Sequence, residues 1–131
     1  MQVTGIDHVN IIAADLDETA RFYASLLGLR PVKIPNAPAG FDGRWLYDAT
    51  DRPIIHLMAW NAQRHAGLVR GSASGSIDHV ALACEDFVGT VRRCEELGIA
   101  HRVNDRKFGD LRQVFVTDPN NVTLELNFAG D

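Results

Sequence analysis

The sequence predicts an α+β fold made of two βαβββ modules in tandem, and three observations support this prediction. The stretch Ile6-Asp7-His8-Val9 returns as Ile77-Asp78-His79-Val80. Further matches fall at the same offset of 71 residues: Asp15 with Asp86, Thr19 with Thr90, Arg21 with Arg92, and Leu26 with Leu97. The predicted strands and helices also follow in the same order in both halves. A duplication of this kind predicts that the two equivalent histidines approach one place about a pseudo-two-fold axis.

Length and composition fit a single domain, residues 1–131, with one core. Of the 131 residues, 46% are hydrophobic, enough for two half-size modules to share a core. The formal charge of −4 comes without a long run of either sign, so neither nucleic acid nor an anionic membrane surface is an expected partner. No apolar run approaches the roughly 18 residues of a membrane-spanning helix. A small-molecule partner is therefore expected.

The cysteines and the N-terminus predict a cytoplasmic protein. Cys84 falls in a predicted strand and Cys94 on a predicted helix, without CxxC spacing, so both are expected to be reduced. The opening Met-Gln-Val-Thr-Gly has neither the basic flank nor the apolar core of a signal peptide.

The first module is expected to span about residues 3–60. Val3 to Ile12 predicts a strand, in which alternation places His8 and Asn10 on one face. Asp15 is an N-cap candidate for an amphipathic helix that ends at Gly28. Residues 35–43 predict a loop, which is either a binding edge or a plain connection. Three further strands are expected: Leu29–Ile34, Arg44–Ala49 and Ile54–Trp60.

The second module is expected to span about residues 77–128, after a polar linker at about 61–76. It repeats the order of the first module: a strand Ser76–Cys84, a helix from the Asp86 cap to Gly98, and strands Ile99–Val103, Leu111–Thr117 and Val122–Phe128. A basic loop is expected after the second of these strands, carrying Arg106, Lys107 and Gly109.

Four side chains are candidate metal ligands. His8 and His79 lie on the first strand of each module, and His56 and Glu125 lie 48 and 46 residues later, on the last strands. A lone strand histidine is more often a packed or surface residue than a ligand. The repeat-matched pair, together with a carboxylate on an apolar strand that needs compensation, reverses that expectation. Imidazole and carboxylate ligands suit Fe, Mn, Co, Ni or Zn, with positions left open for substrate.

At these residues the chain resembles the vicinal oxygen chelate superfamily, which contains glyoxalases, bleomycin resistance proteins and extradiol dioxygenases. The resemblance rests on Asp-His-Val near the start of each module and on the stretch from Asp118 to Glu125 near the end. It covers nearly the whole chain and implies a glyoxalase-like paired-module fold that forms a cupped mixed sheet. It also implies that His8, His56, His79 and Glu125 hold one divalent metal ion.

The resemblance leaves the reaction open. Glyoxalase I enzymes typically carry glutamate in both last-strand positions, so His56 is a departure. Methylmalonyl-CoA epimerases usually have glutamine there. In extradiol dioxygenases the equivalents of His8, His79 and Glu125 hold iron, and His56 could then be a base. That signature usually has tyrosine where this chain has Phe115, glycine where it has Asn121, and a further histidine upstream.

These differences favour a divalent-metal lyase or isomerase that chelates vicinal oxygens and stabilises an enolate or enediolate. His56 or a displaced Glu125 would be the base. One alternative is an Fe(II)-dependent dioxygenase acting on a catechol-like ring. Another is a metal-free binding protein of the bleomycin-resistance type, against which the four filled ligand positions argue.

Strand parity and loop position also predict residues that line the substrate cavity, although any of them could be core: Asn10, Trp45, Tyr47, Met58, Gln113, Phe115 and Asn127. Arg44, Lys107 and Arg112 could hold an anion, with solvated surface as the simpler expectation. His65 and His101 receive no role.

The resemblance further implies a homodimer. Its metal ligands would come from one chain or be shared, with His8 and His56 of one chain joining His79 and Glu125 of the other.

Overall fold

The computed structural model describes residues 1–35, 37–39, 41–65, 75–108 and 111–130, with the backbone alone for 106–108. The chain divides into two compact units, Met1–Leu68 and Val69–Asp131. Each unit has one helix and a four-stranded mixed sheet in the order βαβββ, which confirms the predicted fold. Most of the predicted linker, 61–76, lies outside the described residues.

The first unit contains β1 (Val9–Ala13), α1 (Leu16–Leu27), β2 (Arg30–Lys33), β3 (Gly43–Tyr47) and β4 (Pro53–Ala59). Its strand order is β1-β4-β3-β2. The first and last strands, β1 and β4, are parallel neighbours, whereas β3 runs antiparallel to both β2 and β4.

The second unit contains β5 (Val80–Ala83), α2 (Phe87–Glu96), β6 (His101–Phe108), β7 (Leu111–Thr117) and β8 (Thr123–Ala129). Its order, β5-β8-β7-β6, is the same as in the first unit. The first and last strands are again parallel neighbours, and the other two pairs are antiparallel.

Both helices begin at the predicted aspartate caps. Asp15 Oδ1 accepts a hydrogen bond from the Glu18 N–H at 3.0 Å, and Asp86 Oδ1 accepts one from the Gly89 N–H at 2.9 Å. The first helix ends at Gly28, whose φ of 67° is a left-handed conformation that costs glycine little. These caps fix where each helix starts after its first strand.

The core of each unit lies between the helix and one face of the sheet. In the second unit, alternate residues of β7 and β8 are buried on the helix side: Val114, Val116, Leu124, Leu126 and Phe128. The residues between them point to the opposite face and are partly exposed: Gln113, Phe115, Glu125 and Asn127. The alternation of side chains along β7 and β8 therefore places Gln113, Glu125 and Asn127 on the face away from the core, as predicted.

The first strand of each unit is shorter than predicted, because β1 starts at Val9 instead of Val3, and β5 at Val80 instead of Ser76. Val9 pairs with Ile55, so the next residues back along the parallel ladder would reach Pro53, where β4 begins and which has no N–H. The residues before Val9 remain exposed, including Val3 and Ile6.

The predicted basic loop is wrong, because β6 runs through Arg106 and Lys107 to Phe108. Gly109 lies outside the described residues. The hairpin resumes pairing at Phe108 with Leu111 after a register shift, so β6 is longer than the hydrophobic pattern indicates.

Cys84 follows β5 and Cys94 lies on α2, and both are free thiols. No helix among the described residues is long and apolar enough to cross a membrane.

Candidate functional site

Strand register makes His56 and Glu125 structural equivalents. In the first unit, Asn10, two residues after His8, pairs with His56. In the second unit, Ala81, two residues after His79, pairs with Glu125. His8 and His79 each lie one residue before the first strand of their unit, not on it as predicted, because β1 and β5 begin at Val9 and Val80. Each histidine still has the same relation to the donor on the last strand of its own unit.

In the first unit, His56 lies in a cluster of rings. The indole of Trp45 stacks on it with centroids 4.4 Å apart and an angle of 17°. His8 makes edge contacts with Trp45 at 4.8 Å and with His56 at 6.2 Å. Phe41, from the loop before β3, lies 6.1 Å from His56. The stack fixes the plane of the His56 ring, and the loop contributes to the edge of the cluster.

Asn10 holds the other edge of the His56 ring, its amide nitrogen lying 2.9 Å from Nδ1. Nε2 of His56 is buried and has no hydrogen-bond partner among the residues that the structure describes. With the Asn10 amide as donor, the neutral ring carries its proton on Nε2. A half-turn of that amide would present Oδ1 to an Nδ1–H and leave the Nε2 lone pair free.

Burial lowers the pKa of His56, and the neighbouring His8 lowers it further. The ring is therefore neutral near pH 7, the form that can accept a proton or bind a metal ion. Space at this nitrogen depends on Gly43, where an added Cβ would lie 3.4 Å from Nε2 and 2.7 Å from the Leu57 carbonyl oxygen.

In the second unit, Glu125 is held by a row of amides across three strands. Asn127 Nδ2 donates to Glu125 Oε2 at 3.1 Å, Gln113 Nε2 donates to Asn127 Oδ1 at 3.0 Å, and Asn104 Nδ2 donates to Gln113 Oε1 at 2.9 Å. An ionised carboxylate only accepts hydrogen bonds, so it sets the donor-to-acceptor direction of all three hydrogen bonds. We call Asn104, Gln113 and Asn127 the amide row. Every member orients the next, and the last orients Glu125.

His79 Nε2 lies 3.8 Å from Glu125 Oε2. The side chain of Glu125 is 18% exposed and that of His79 is 39% exposed. The hydrogen bond to Asp78 and the charge of Glu125 raise the pKa of His79. The imidazole and the carboxylate are thus neighbours at the edge of solvent.

His8 and His79 are each oriented by the aspartate that precedes them. Asp7 Oδ2 lies 2.6 Å from His8 Nδ1, and Asp78 Oδ1 lies 2.8 Å from His79 Nδ1. Both contacts use Nδ1 and leave Nε2 available. A carboxylate on the second ring nitrogen is the usual arrangement behind a metal-ligating histidine.

Within each unit, then, the described ligand-type side chains meet as a pair. Neither unit gathers three His, Cys, Asp or Glu side chains among its described residues.

The other predicted lining residues take different positions. Asn10 and Trp45 contact His56, and Gln113 and Asn127 belong to the amide row. Phe115 pairs directly across from Glu125, and Met58 pairs with Gly43 on the His56 face. Tyr47 instead lies under the Arg30 guanidinium, 4.8 Å from the ring centroid.

The three predicted anion-binding candidates do not gain support. Arg44 forms ion pairs with Asp42 and Asp17. The guanidinium of Arg112 lies 4.2 Å over the Phe87 ring, on the helix side of the sheet. The side chain of Lys107 lies outside what the structure describes.

The two histidines without a predicted role have local partners. His65 is buried and its Nδ1 accepts from the Asn61 N–H, while His101 Nδ1 donates to the Ile99 carbonyl oxygen.

Sequence reasoning missed the aspartates of the two Asp-His pairs, although the repeated tetrapeptide contained them. It also missed Asn104, because the predicted second strand of the second module ended at Val103. Arg102 lies within that predicted strand and was missed because the register with β7, which pairs it with Phe115, was unknown. Phe41 lies in the 35–43 loop, for which a binding edge was one of two predicted roles, but no pattern singled out this residue.

The two histidine environments predict separable titrations in metal-free protein. By NMR of the imidazole C–H signals, His56 should titrate below the usual value near 6.5 and His79 above it. Asp78→Asn removes the main cause of the upward shift, so the pKa of His79 should fall towards 6.5.

Asp7→Asn, at the equivalent position of the first unit, is the matched control and should leave His79 unchanged. An unaltered His79 titration in Asp78→Asn would show that this carboxylate does not hold the ring.

The comparisons with known proteins agree with this fold. The model of the Glyoxalase/Bleomycin resistance protein/Dioxygenase superfamily matches residues 5–126. A curated relative, Glyoxylase I 4 of Arabidopsis thaliana, is 27% identical over 129 residues, covering 96% of this chain and 71% of the relative.

Two solved structures share the fold. The glyoxylase/bleomycin resistance protein/dioxygenase domain from Frankia sp. EAN1pec has a TM-score of 0.75 and 18% identity, covering 99% of this chain and 95% of that one. The fosfomycin resistance protein FosX from Listeria monocytogenes has a TM-score of 0.70 and 17% identity, covering 98% and 95%. Since the family model spans nearly the whole chain, the protein belongs to the Glyoxalase/Bleomycin resistance protein/Dioxygenase superfamily.

Proposed function

We propose that this protein is a divalent-metal-dependent enzyme, a lyase or isomerase, with His8, His56, His79 and Glu125 as metal ligands. The observation that carries the proposal is the repeated arrangement of an aspartate, an imidazole and a last-strand donor. In each unit an aspartate occupies Nδ1 of the histidine and leaves Nε2 available for a metal ion.

The donor set fits a metal ion such as Fe, Mn, Ni, Co or Zn. Glu125 is mostly buried, and the hydrogen bond it receives from Asn127 is from a neutral amide. A carboxylate in this setting is stabilised by a cation. The unpartnered, buried Nε2 of His56 is a second atom that a metal ion would satisfy.

When bound, the metal ion would polarise two neighbouring oxygen atoms of a small substrate and stabilise the negative charge that develops on them. Removal of a proton from the adjacent carbon then requires a base. His56 suits this role if His8, His79 and Glu125 alone hold the metal ion, because its ring is neutral near pH 7 and is held by Trp45 and Asn10. The Glu125 carboxylate is the other candidate base, in a site where the three histidines would hold the metal ion.

Two relatives support a metal-dependent reaction. The Arabidopsis relative is named a glyoxylase I. A glutamate-to-glutamine mutant of the Listeria FosX has been crystallised with Mn(II) and 1S,2S-dihydroxypropylphosphonic acid, a small molecule with neighbouring oxygen atoms.

We further propose a cytoplasmic homodimer. The two free cysteines suit a reducing compartment. A dimer would allow the ligands to come from one chain or from two.

Metal binding is the first test. Wild-type protein purified without chelators should contain about one equivalent of a divalent metal by elemental analysis. Glu125→Gln and His79→Ala should each weaken metal affinity by more than the roughly 10–100-fold that loss of an outer-shell partner costs. Glu95→Gln, an exposed residue on α2, removes the same charge and should bind metal like the wild type.

The identity of the metal separates the alternatives. Ni, Co, Mn or Zn supports the lyase or isomerase. Stoichiometric Fe with oxygen uptake on catechols would favour the dioxygenase. Absence of metal after reconstitution would contradict the proposal and favour a ligand-sequestering protein.

The amide row predicts a graded effect on metal affinity. Asn127→Ala removes the donor to Glu125 and should weaken affinity by about 10–100-fold. Gln113→Ala should have a smaller effect, and Asn104→Ala, two hydrogen bonds away from the carboxylate, the smallest. Calorimetric titration of each variant measures the affinities. If all three variants melt earlier but bind metal like the wild type, the row only supports the sheet.

A further inference from the structure

A pocket of about 370 Å³ opens beside Glu125 within the second unit. Its lining comes from the start of β6, the middle and end of β7, and the start of β8: Ala100, His101, Arg102, Phe115, Val116, Thr117 and Thr123. Phe115 pairs directly with Glu125, and Thr123 precedes Glu125 by two residues on the same face of β8. The pocket therefore adjoins the proposed metal ligand on one side.

Arg102 supplies the positive charge of this pocket. It pairs across the ladder with Phe115, and its guanidinium carbon lies 4.1 Å from the centroid of the Phe115 ring. Within the described part of the chain Arg102 forms no ion pair, a property it shares with the exposed Arg21, Arg52 and Arg64, whereas Arg92 and Arg93 on α2 pair with Glu96. Stacking on a ring occupies a face of the guanidinium and leaves its in-plane N–H donors available.

These donors match one class of ligand. The guanidinium fork binds carboxylate, phosphate and phosphonate oxygens through two parallel hydrogen bonds. The hydroxyls of Thr117 and Thr123 add donors at the pocket wall, and no lining residue is acidic. A volume of this size suits a small molecule.

We propose that Arg102 and its pocket form a subsite for the anionic group of the substrate, so that the substrate is a small carboxylate or phosphonate whose oxygen pair reaches the metal. This proposal rests on the proposed function, because Glu125 would repel an anion unless a metal ion compensates its charge. Arg102 and Glu125 lie on strands separated by β7, so their backbones are about 10 Å apart and a bridging ligand is compact.

The test compares the binding of glycerate and glycerol to Zn(II)-loaded protein by calorimetric titration. Glycerate has a carboxylate where glycerol has a hydroxymethyl group. The wild type should bind glycerate more tightly than glycerol. Arg102→Gln should weaken glycerate binding by about 10–100-fold, the usual effect of a charged hydrogen bond, and leave glycerol binding and Zn(II) affinity unchanged. Arg102→Lys keeps the positive charge but loses the two parallel N–H donors of the guanidinium, so it should retain part of the preference for glycerate over glycerol.

Arg92→Gln, an exposed arginine on α2 of the same unit, is the matched control and should keep the wild-type preference. A wild-type ratio of glycerate to glycerol affinity in Arg102→Gln would overturn the subsite while leaving the metal site intact. Loss of Zn(II) binding in Arg102→Gln would also overturn it, since Arg102 would then act on the ligands. Absence of Zn(II) binding in the wild type would overturn the proposed function and, with it, this subsite.

Discussion

The parallel pairing of the first and last strands determines where the candidate ligands of each unit lie. Hydrogen bonds between β1 and β4 align Asn10 with His56, and those between β5 and β8 align Ala81 with Glu125. A shift of one residue in either ladder would turn the last-strand donor towards the helix, because strand side chains alternate between faces. Burial of the opposite face against α1 or α2 resists such a shift.

The two units carry different side chains at these equivalent positions of their sheets. In the first, aromatic rings surround His56 and burial keeps it neutral. In the second, amides orient a carboxylate, and Asp78 and Glu125 favour the charged form of His79. Neutral imidazole together with oriented carboxylate is the mixture that suits first-row divalent metals. The proposed base, His56, belongs to the first unit, and the proposed anion subsite at Arg102 belongs to the second.

The internal repeat, read with the strand and helix patterns, predicted the two βαβββ units and the aspartate caps. The similar intervals from His8 to His56 and from His79 to Glu125 also predicted that the two last-strand donors occupy corresponding positions. Period-two alternation also placed Gln113 and Asn127 on the correct face of the sheet. Strand ends were harder to predict, because they depend on the partner strand. β1 begins only at Val9 because its partner, β4, begins at Pro53. β6 continues through a charged stretch because β7 pairs with it. Asn104 was missed for this reason, and Arg102, inside the predicted strand, was missed because its cross-strand partner was unknown. Their importance comes from register with Phe115 and Gln113, which hydrophobic pattern does not encode.

The most direct measurement of the central claim is X-ray absorption at the zinc edge of Zn(II)-loaded protein. The four-ligand site predicts scattering from several imidazole nitrogens at about 2.0–2.1 Å together with carboxylate oxygen. His56→Gln should then lower the number of imidazoles by one if His56 is a ligand, and leave it unchanged if His56 is only the base. A first shell of oxygen alone, without imidazole scattering, would contradict the metal site altogether.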